Sequence, residues 1–205
     1  MSRVYTRNGK VLTVSGKALA PVQTTVTIGG REYGTVKAGN MTWLSENLEL
    51  LCDGIELSNK YTDSPAAFRS DVYGLLYNWH AVRVLQSKRD ELFPGWHVCT
   101  GTDYTHLGEY IYPGFNVVTM QGLKEVSLAL RSTTGWADSV GPGLDTYGVC
   151  IKPSWNAYTR AWLWTYGKIW DYDGTKYGSA VWFTASTGGG YQDAQSYMTV
   201  RLVKD

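Results

Sequence analysis

Apolar and polar positions along the 205 residues alternate mostly with the two-residue period of a strand, and helical spacing is scarce. Lys10-Val11-Leu12-Thr13-Val14, set between Gly9-Lys10 and Gly16-Lys17, predicts two short strands within residues 1–28, ending at Ala20-Pro21. That stretch is too small for a core of its own, so it is read as an edge hairpin or an attachment arm. Tyr33 to Leu48 predicts a β-hairpin, with Gly39-Asn40 as its turn and Thr42-Trp43-Leu44 as the returning strand. Asp53 to Ser70 is polar and irregular and is predicted to be a loop.

Helical spacing is confined to the middle of the chain. Tyr73 to Leu85 carries Leu76, Trp79, His80, Val82 and Val84 on a largely apolar element, predicting a helix from about Trp79. Pro94-Gly95-Trp96 interrupts it, and Thr102 is expected to cap a second helix with Tyr104, Leu107 and Ile111 on one face. Leu123 to Leu130 adds a helical turn or two, ending at Ser132-Thr133-Thr134-Gly135-Trp136. Beyond Gly141-Pro142-Gly143 the pattern gives short strands and long loops. Helices in the middle with strands at both ends predict an α+β fold: an N-terminal arm over 1–28 and one domain over 29–205, its ends joined in a small antiparallel sheet.

From Ser154 to Tyr197 aromatic residues recur among Gly, Ser, Thr, Asp and Asn, too many for one small core. Tyr and Trp offer large contact areas at low rotamer cost, and small polar neighbours adapt hydrogen bonds around them, as in a paratope. Trp182 and Phe183, adjacent in an apolar stretch, are assigned to the core. Candidate contact residues are Trp155, Tyr158, Trp162, Trp164, Tyr166, Trp170, Tyr172, Tyr177, Tyr191 and Gln192, with Asn156, Asp171, Asp173 and Asp193 adding orientation through hydrogen bonds. Alternation along a strand buries about half of any extended run, so some of these belong to the core.

Charge removes other partners. With 19 basic and 18 acidic residues the net charge is +1, and no run of Lys or Arg forms a stripe, which excludes nucleic acid and anionic membrane as main partners. Cys52, Cys99 and Cys150 are far apart, include no zinc spacing and are read as small buried apolar residues, leaving room for at most one long-range disulfide. No signal peptide or membrane-length apolar stretch is visible in the sequence.

Five segments, in order, resemble the landmarks of one family. They are Tyr33-Gly34-Thr35-Val36-Lys37-Ala38-Gly39-Asn40-Met41-Thr42-Trp43-Leu44-Ser45-Glu46-Asn47-Leu48; Tyr73-Gly74-Leu75-Leu76-Tyr77-Asn78-Trp79; Pro94-Gly95-Trp96-His97-Val98; Leu130-Arg131-Ser132-Thr133-Thr134-Gly135-Trp136; and Trp182-Phe183-Thr184-Ala185-Ser186 with the terminal Val200-Arg201-Leu202-Val203-Lys204-Asp205. Over residues 30–205 the chain resembles the Fibrobacter succinogenes major paralogous domain family. The resemblance implies a C-type-lectin-like fold with two helices, a sheet joining the termini and long irregular loops. It also implies the variable protein of a phage or bacterial diversity-generating retroelement, whose diversified positions would lie in the aromatic-rich segment 154–197. Trp43, Trp79, Trp96, Trp136 and Trp182 would then be scaffold.

Two departures matter: Phe93 and Leu202 stand where the family often has Cys, so its disulfide is absent, which suits assembly in a reducing cytoplasm. The expected function is non-catalytic receptor binding, to a host-surface protein or glycan, at a virion or cell surface. Residues 1–28 would attach the domain to a virion or to sister subunits, with a homotrimer as the expected assembly. The alternatives are a bacterial adhesin or polysaccharide-binding module of fixed specificity and, less favoured, an enzyme on the related formylglycine-generating fold. Against catalysis, His80, His97 and His106 form no H-x-x-x-H-x-E pattern and no nucleophile stands beside a base. Asp171-Tyr172-Asp173-Gly174 has the first half of a calcium loop without its closing Glu and is read as a hairpin turn; no cofactor is expected, though calcium held for structure alone stays open.

Overall fold

A computed structural model of the chain describes residues 5–7, 10–12, 24–71, 73–116, 121–154, 161–167, 170–172 and 175–204. β1 (Tyr5–Arg7) and β2 (Lys10–Leu12) pair antiparallel with each other, as the alternation around Lys10 implies. β3 (Thr24–Ile28) pairs with β4 (Arg31–Ala38), and Gly29-Gly30, both at positive φ, supply the two-residue turn that such a hairpin favours. Thr24–Ile28, expected with the N-terminal strands, therefore belongs to the main sheet. β4 returns through Gly39-Asn40 into β5 (Met41–Leu44), with Ala38 opposite Met41 as the sequence predicts.

The segment predicted to be a loop contains two strands. β6 (Glu56–Leu57) pairs in parallel with β7 (Ala66–Ser70), which pairs antiparallel with β8 (Gly74–Tyr77). Asn78 then caps α1 (Trp79–Ser87): its Oδ1 accepts from the Ala81 N–H at 2.9 Å and the Ala66 N–H at 3.0 Å, while its amide donates to the Thr62 and Ser64 carbonyls. One buried side chain thus starts the helix and pins residues 62–66.

Short α2 (Arg89–Leu92) and β9 (His97–Val98) lead into α3 (Gly101–Ile111). Its cap is Thr100, not Thr102. Thr100 and Asp103 form a reciprocal capping box, and His97 Nε2 lies 3.0 Å from Asp103 Oδ2. α4 (Leu123–Leu130) covers the predicted residues, so the described residues hold four helices where two are expected.

β10 (Ala161–Trp164), β11 (Trp170–Tyr172), β12 (Thr175–Phe183), β13 (Thr187–Asp193) and β14 (Thr199–Val200) form a second large sheet in which β11, β10 and β13 all pair with β12. The last strand, β15 (Leu202–Lys204), lies between β5 and β9 in the order β3-β4-β5-β15-β9, so the end of the chain closes onto its early hairpin. The fold is α+β, with mostly antiparallel sheets and parallel pairs at β6–β7 and β10–β14.

Two apolar clusters lie on either side of the β10–β12 pair. Leu163, Val181 and Phe183 face Trp43, Tyr104, Leu107 and Val126; their neighbours Trp164 and Ala180 face Tyr77, Trp79, Leu85 and Leu202. Phe93 joins Leu202 in that second group, and all three cysteines are free. Trp43, Trp79 and Trp96 are buried as assigned, Trp136 is half-buried with its Nε1 donating to Ser132 Oγ at 3.0 Å, and of the Trp182-Phe183 pair only Phe183 is core.

Candidate binding surface

β12 and β13 form a ribbon whose register runs from Phe183 opposite Thr187 out to Tyr177 opposite Asp193. β11 adds a third strand at the outer end, with Trp170 opposite Tyr177, Asp171 opposite Lys176 and Tyr172 opposite Thr175. The turn expected at Asp173-Gly174 lies outside the described residues. Trp170, Tyr177 and Asp193 therefore occupy one row across three strands, and Tyr191, opposite Ser179, stands in the next. Tyr191 is 50% exposed, while Tyr177, Gln192 and Asp193 are half-buried. Asp193 is held in place by accepting the Gln195 N–H at 2.9 Å.

Glycines let this ribbon approach the body of the protein. A Cβ at Gly178 would stand 2.6 Å from the Trp79 ring and 2.9 Å from the Trp164 ring, so only glycine lets the β12 backbone lie on those indoles. Farther along, a Cβ at Gly188 would stand 2.7 Å from Trp182 Cζ2, which places that half-buried indole over its cross-strand partner.

Not every candidate faces outward. Trp164 is 0% exposed, its ring centroid 5.4 Å from that of Trp79 and its Nε1 donating to the Tyr77 carbonyl at 2.7 Å. It is a core residue, placed inside by the alternation that puts Leu163 against the other cluster. Tyr166, two residues on, is exposed, and its ring stacks on Trp79 at 6.1 Å and 28°. Trp162, Trp170, Asp171 and Tyr172 are placed by strand register; Trp155, Asn156, Tyr158 and Asp173 lie outside the described residues.

Beside the ribbon, an aromatic cleft of about 470 Å³ is lined by Asn59, Tyr61, Phe68, Ser70, Tyr73, Leu76, Ser154 and Tyr197. Tyr197 is its corner: its ring lies 6.2 Å from Tyr61 and 6.0 Å from Phe68, and its hydroxyl donates to the Lys60 carbonyl at 2.8 Å. The loop carrying Tyr61 meets the end of the ribbon through Gln195 Nε2 and Asp63 Oδ1, 3.5 Å apart. Sequence reasoning missed this cleft because its far wall lies in the segment read as a loop; the signal that could have found it is Tyr61, Phe68 and Tyr73 recurring among polar residues there. Ser154 directly precedes candidates 155–158, which lie outside the described residues.

Burial lowers the pKa of His80 despite Asp63 Oδ1, 3.5 Å from its Nε2. Burial raises the pKa of all three thiols, most strongly that of Cys99, so at neutral pH they are protonated and poor nucleophiles. Among the described residues no group of three or more His, Cys, Asp or Glu could hold a metal ion, and no helix is long and apolar enough to cross a membrane. Comparison of the chain with protein-family models, curated proteins and solved structures finds no match.

Proposed function

We propose that the protein is a non-catalytic binding protein that grips a host-surface protein or glycan through the outer end of the β11–β12–β13 ribbon. The observation that carries this is the row Trp170–Tyr177–Asp193 with exposed Tyr191 beside it, on strands fixed to the core through Gly178. Aromatic anchors on a rigid element lose little entropy on binding, so apolar area buried there goes into affinity. We further propose the C-type-lectin-like fold and membership of the Fibrobacter succinogenes major paralogous domain family. In favour is the chain's end pairing with its early hairpin, and the resembling segments lying in scaffold: Tyr33–Leu48 in β4–β5, His97-Val98 in β9 and Leu202–Lys204 in β15. On this reading the segment around the ribbon is the variable surface of a retroelement-encoded protein carried at a phage tail, with residues 1–23 as the attachment arm.

Binding of the labelled protein to cells of the host tests it. Replacing Tyr177 and Tyr191 together by Ala should abolish most of the cell-bound signal while the unfolding transition stays in place; undiminished binding by that variant would overturn the assignment.

A further inference from the structure

The aromatic cleft has a chemistry of its own, distinct from the ribbon. None of the described residues lining it is charged, which suits an uncharged ligand. Its apolar walls are rings: Tyr61 and Tyr197 are inclined at 35° and Phe68 and Tyr197 at 58°, which makes an open corner instead of a closed stack. Asn59, Ser70 and Ser154 bring an amide and two hydroxyls to the same lining. Tyr61 remains 66% exposed, a large ring presented to solvent and held near a neighbour that is itself tied to Lys60. The volume of about 470 Å³ lies within the range of small-ligand sites and suits one or two sugar rings.

From this geometry we propose that the cleft is a binding site for a neutral pyranose unit. A pyranose has a C–H face, which packs on a tyrosine ring, and a rim of hydroxyls, which needs side-chain amide and hydroxyl partners without formal charge. An aliphatic peptide side chain would use the rings and bring nothing for the exposed Asn59 amide to bond. Six of the eight described lining residues come from residues 59–76, outside the ribbon strands.

Titration of the full-length protein with the methyl glycosides of glucose, galactose, mannose and N-acetylglucosamine, followed by the aromatic NMR resonances, tests the proposal. At least one glycoside should shift Tyr61 and Tyr197 saturably. Tyr61→Ala, at an exposed position, should weaken that glycoside by about tenfold or more, Asn59→Ala should weaken it too, and Tyr191→Ala on the ribbon should leave it unchanged. Host-cell binding through the ribbon can fail while this result holds, and the reverse. The proposal is overturned if none of the four glycosides shifts these rings, if Tyr61→Ala binds as well as the parent, or if a proline-rich peptide shifts the rings and the glycosides do not.

Discussion

Three backbone carbonyls and one side-chain amide converge on the guanidinium of Arg201, which is 1% exposed: Leu44 O at 2.7 Å, Val149 O at 2.6 Å, Cys150 O at 3.0 Å and Asn47 Oδ1 at 2.9 Å. Burial pushes its pKa down to about 10, so it stays charged at neutral pH and joins three distant parts of the chain. Arg201→Leu leaves those acceptors buried and unpaired at about 1–3 kcal/mol each, so urea unfolding should show a loss above about 3 kcal/mol; a variant of parental stability would show that water replaces the guanidinium. Asp103 is the second such residue. Burial alone would raise its pKa, but the hydrogen bonds from His97 and Thr100 outweigh burial and hold it below the ordinary value. Its stabilising effect is therefore complete above an unfolded-state pKa of about 3.9 and is lost as the pH falls through the folded value. Asp103→Asn should cost about 1 kcal/mol at neutral pH and flatten the acid limb of stability against pH; an unchanged acid limb would place that titration elsewhere. Neither role was visible in the sequence, where Arg201 is one residue of an apolar terminal strand and Thr102 looks as good a cap as Thr100.

Gly178 is where the ribbon meets the rest of the protein. Gly178→Ala must displace Trp79 or Trp164, both fully buried, and should cost about 1–3 kcal/mol with a change in tryptophan fluorescence. Gly190→Ala, with nothing within 4 Å of the added Cβ, should stay within about 0.5 kcal/mol of the parent; equal losses at both positions would mean that strand flexibility, not packing, sets the cost. Elements made by local pairing were legible: the β4–β5 hairpin from Gly39-Asn40, α1 from Trp79, and α4 over its whole length. β6 and β7 were not, because one is two residues long and their pairing is parallel across a loop, which leaves no alternation to read. Within the aromatic segment, strand periodicity announces that about half the residues turn inward. It cannot say which: both Trp164 and Tyr166 pack on Trp79, but Trp164 is closed in against Gly178 while Tyr166 stays exposed.

The whole molecule divides into a scaffold, in which the terminal strand seals the early hairpin, and a surface made by the ribbon with its adjoining cleft. β1 and β2 pair with each other, whereas β3 belongs to the main sheet, so an arm can be removed only up to residue 23. Deleting residues 1–23 should leave the unfolding midpoint in place and reduce the mass seen by light scattering from a trimer to a single chain; an unchanged mass would take the arm out of assembly. If the surface is the variable part of a retroelement protein, its codons must change while those of the scaffold do not. Deep sequencing of the gene across its natural population measures this directly. Differences should concentrate in codons 154–197, at adenines of a nearby template copy, and spare those for Tyr33–Leu48. A ribbon segment as constant as that hairpin would contradict the retroelement reading and make this a binding protein of fixed specificity.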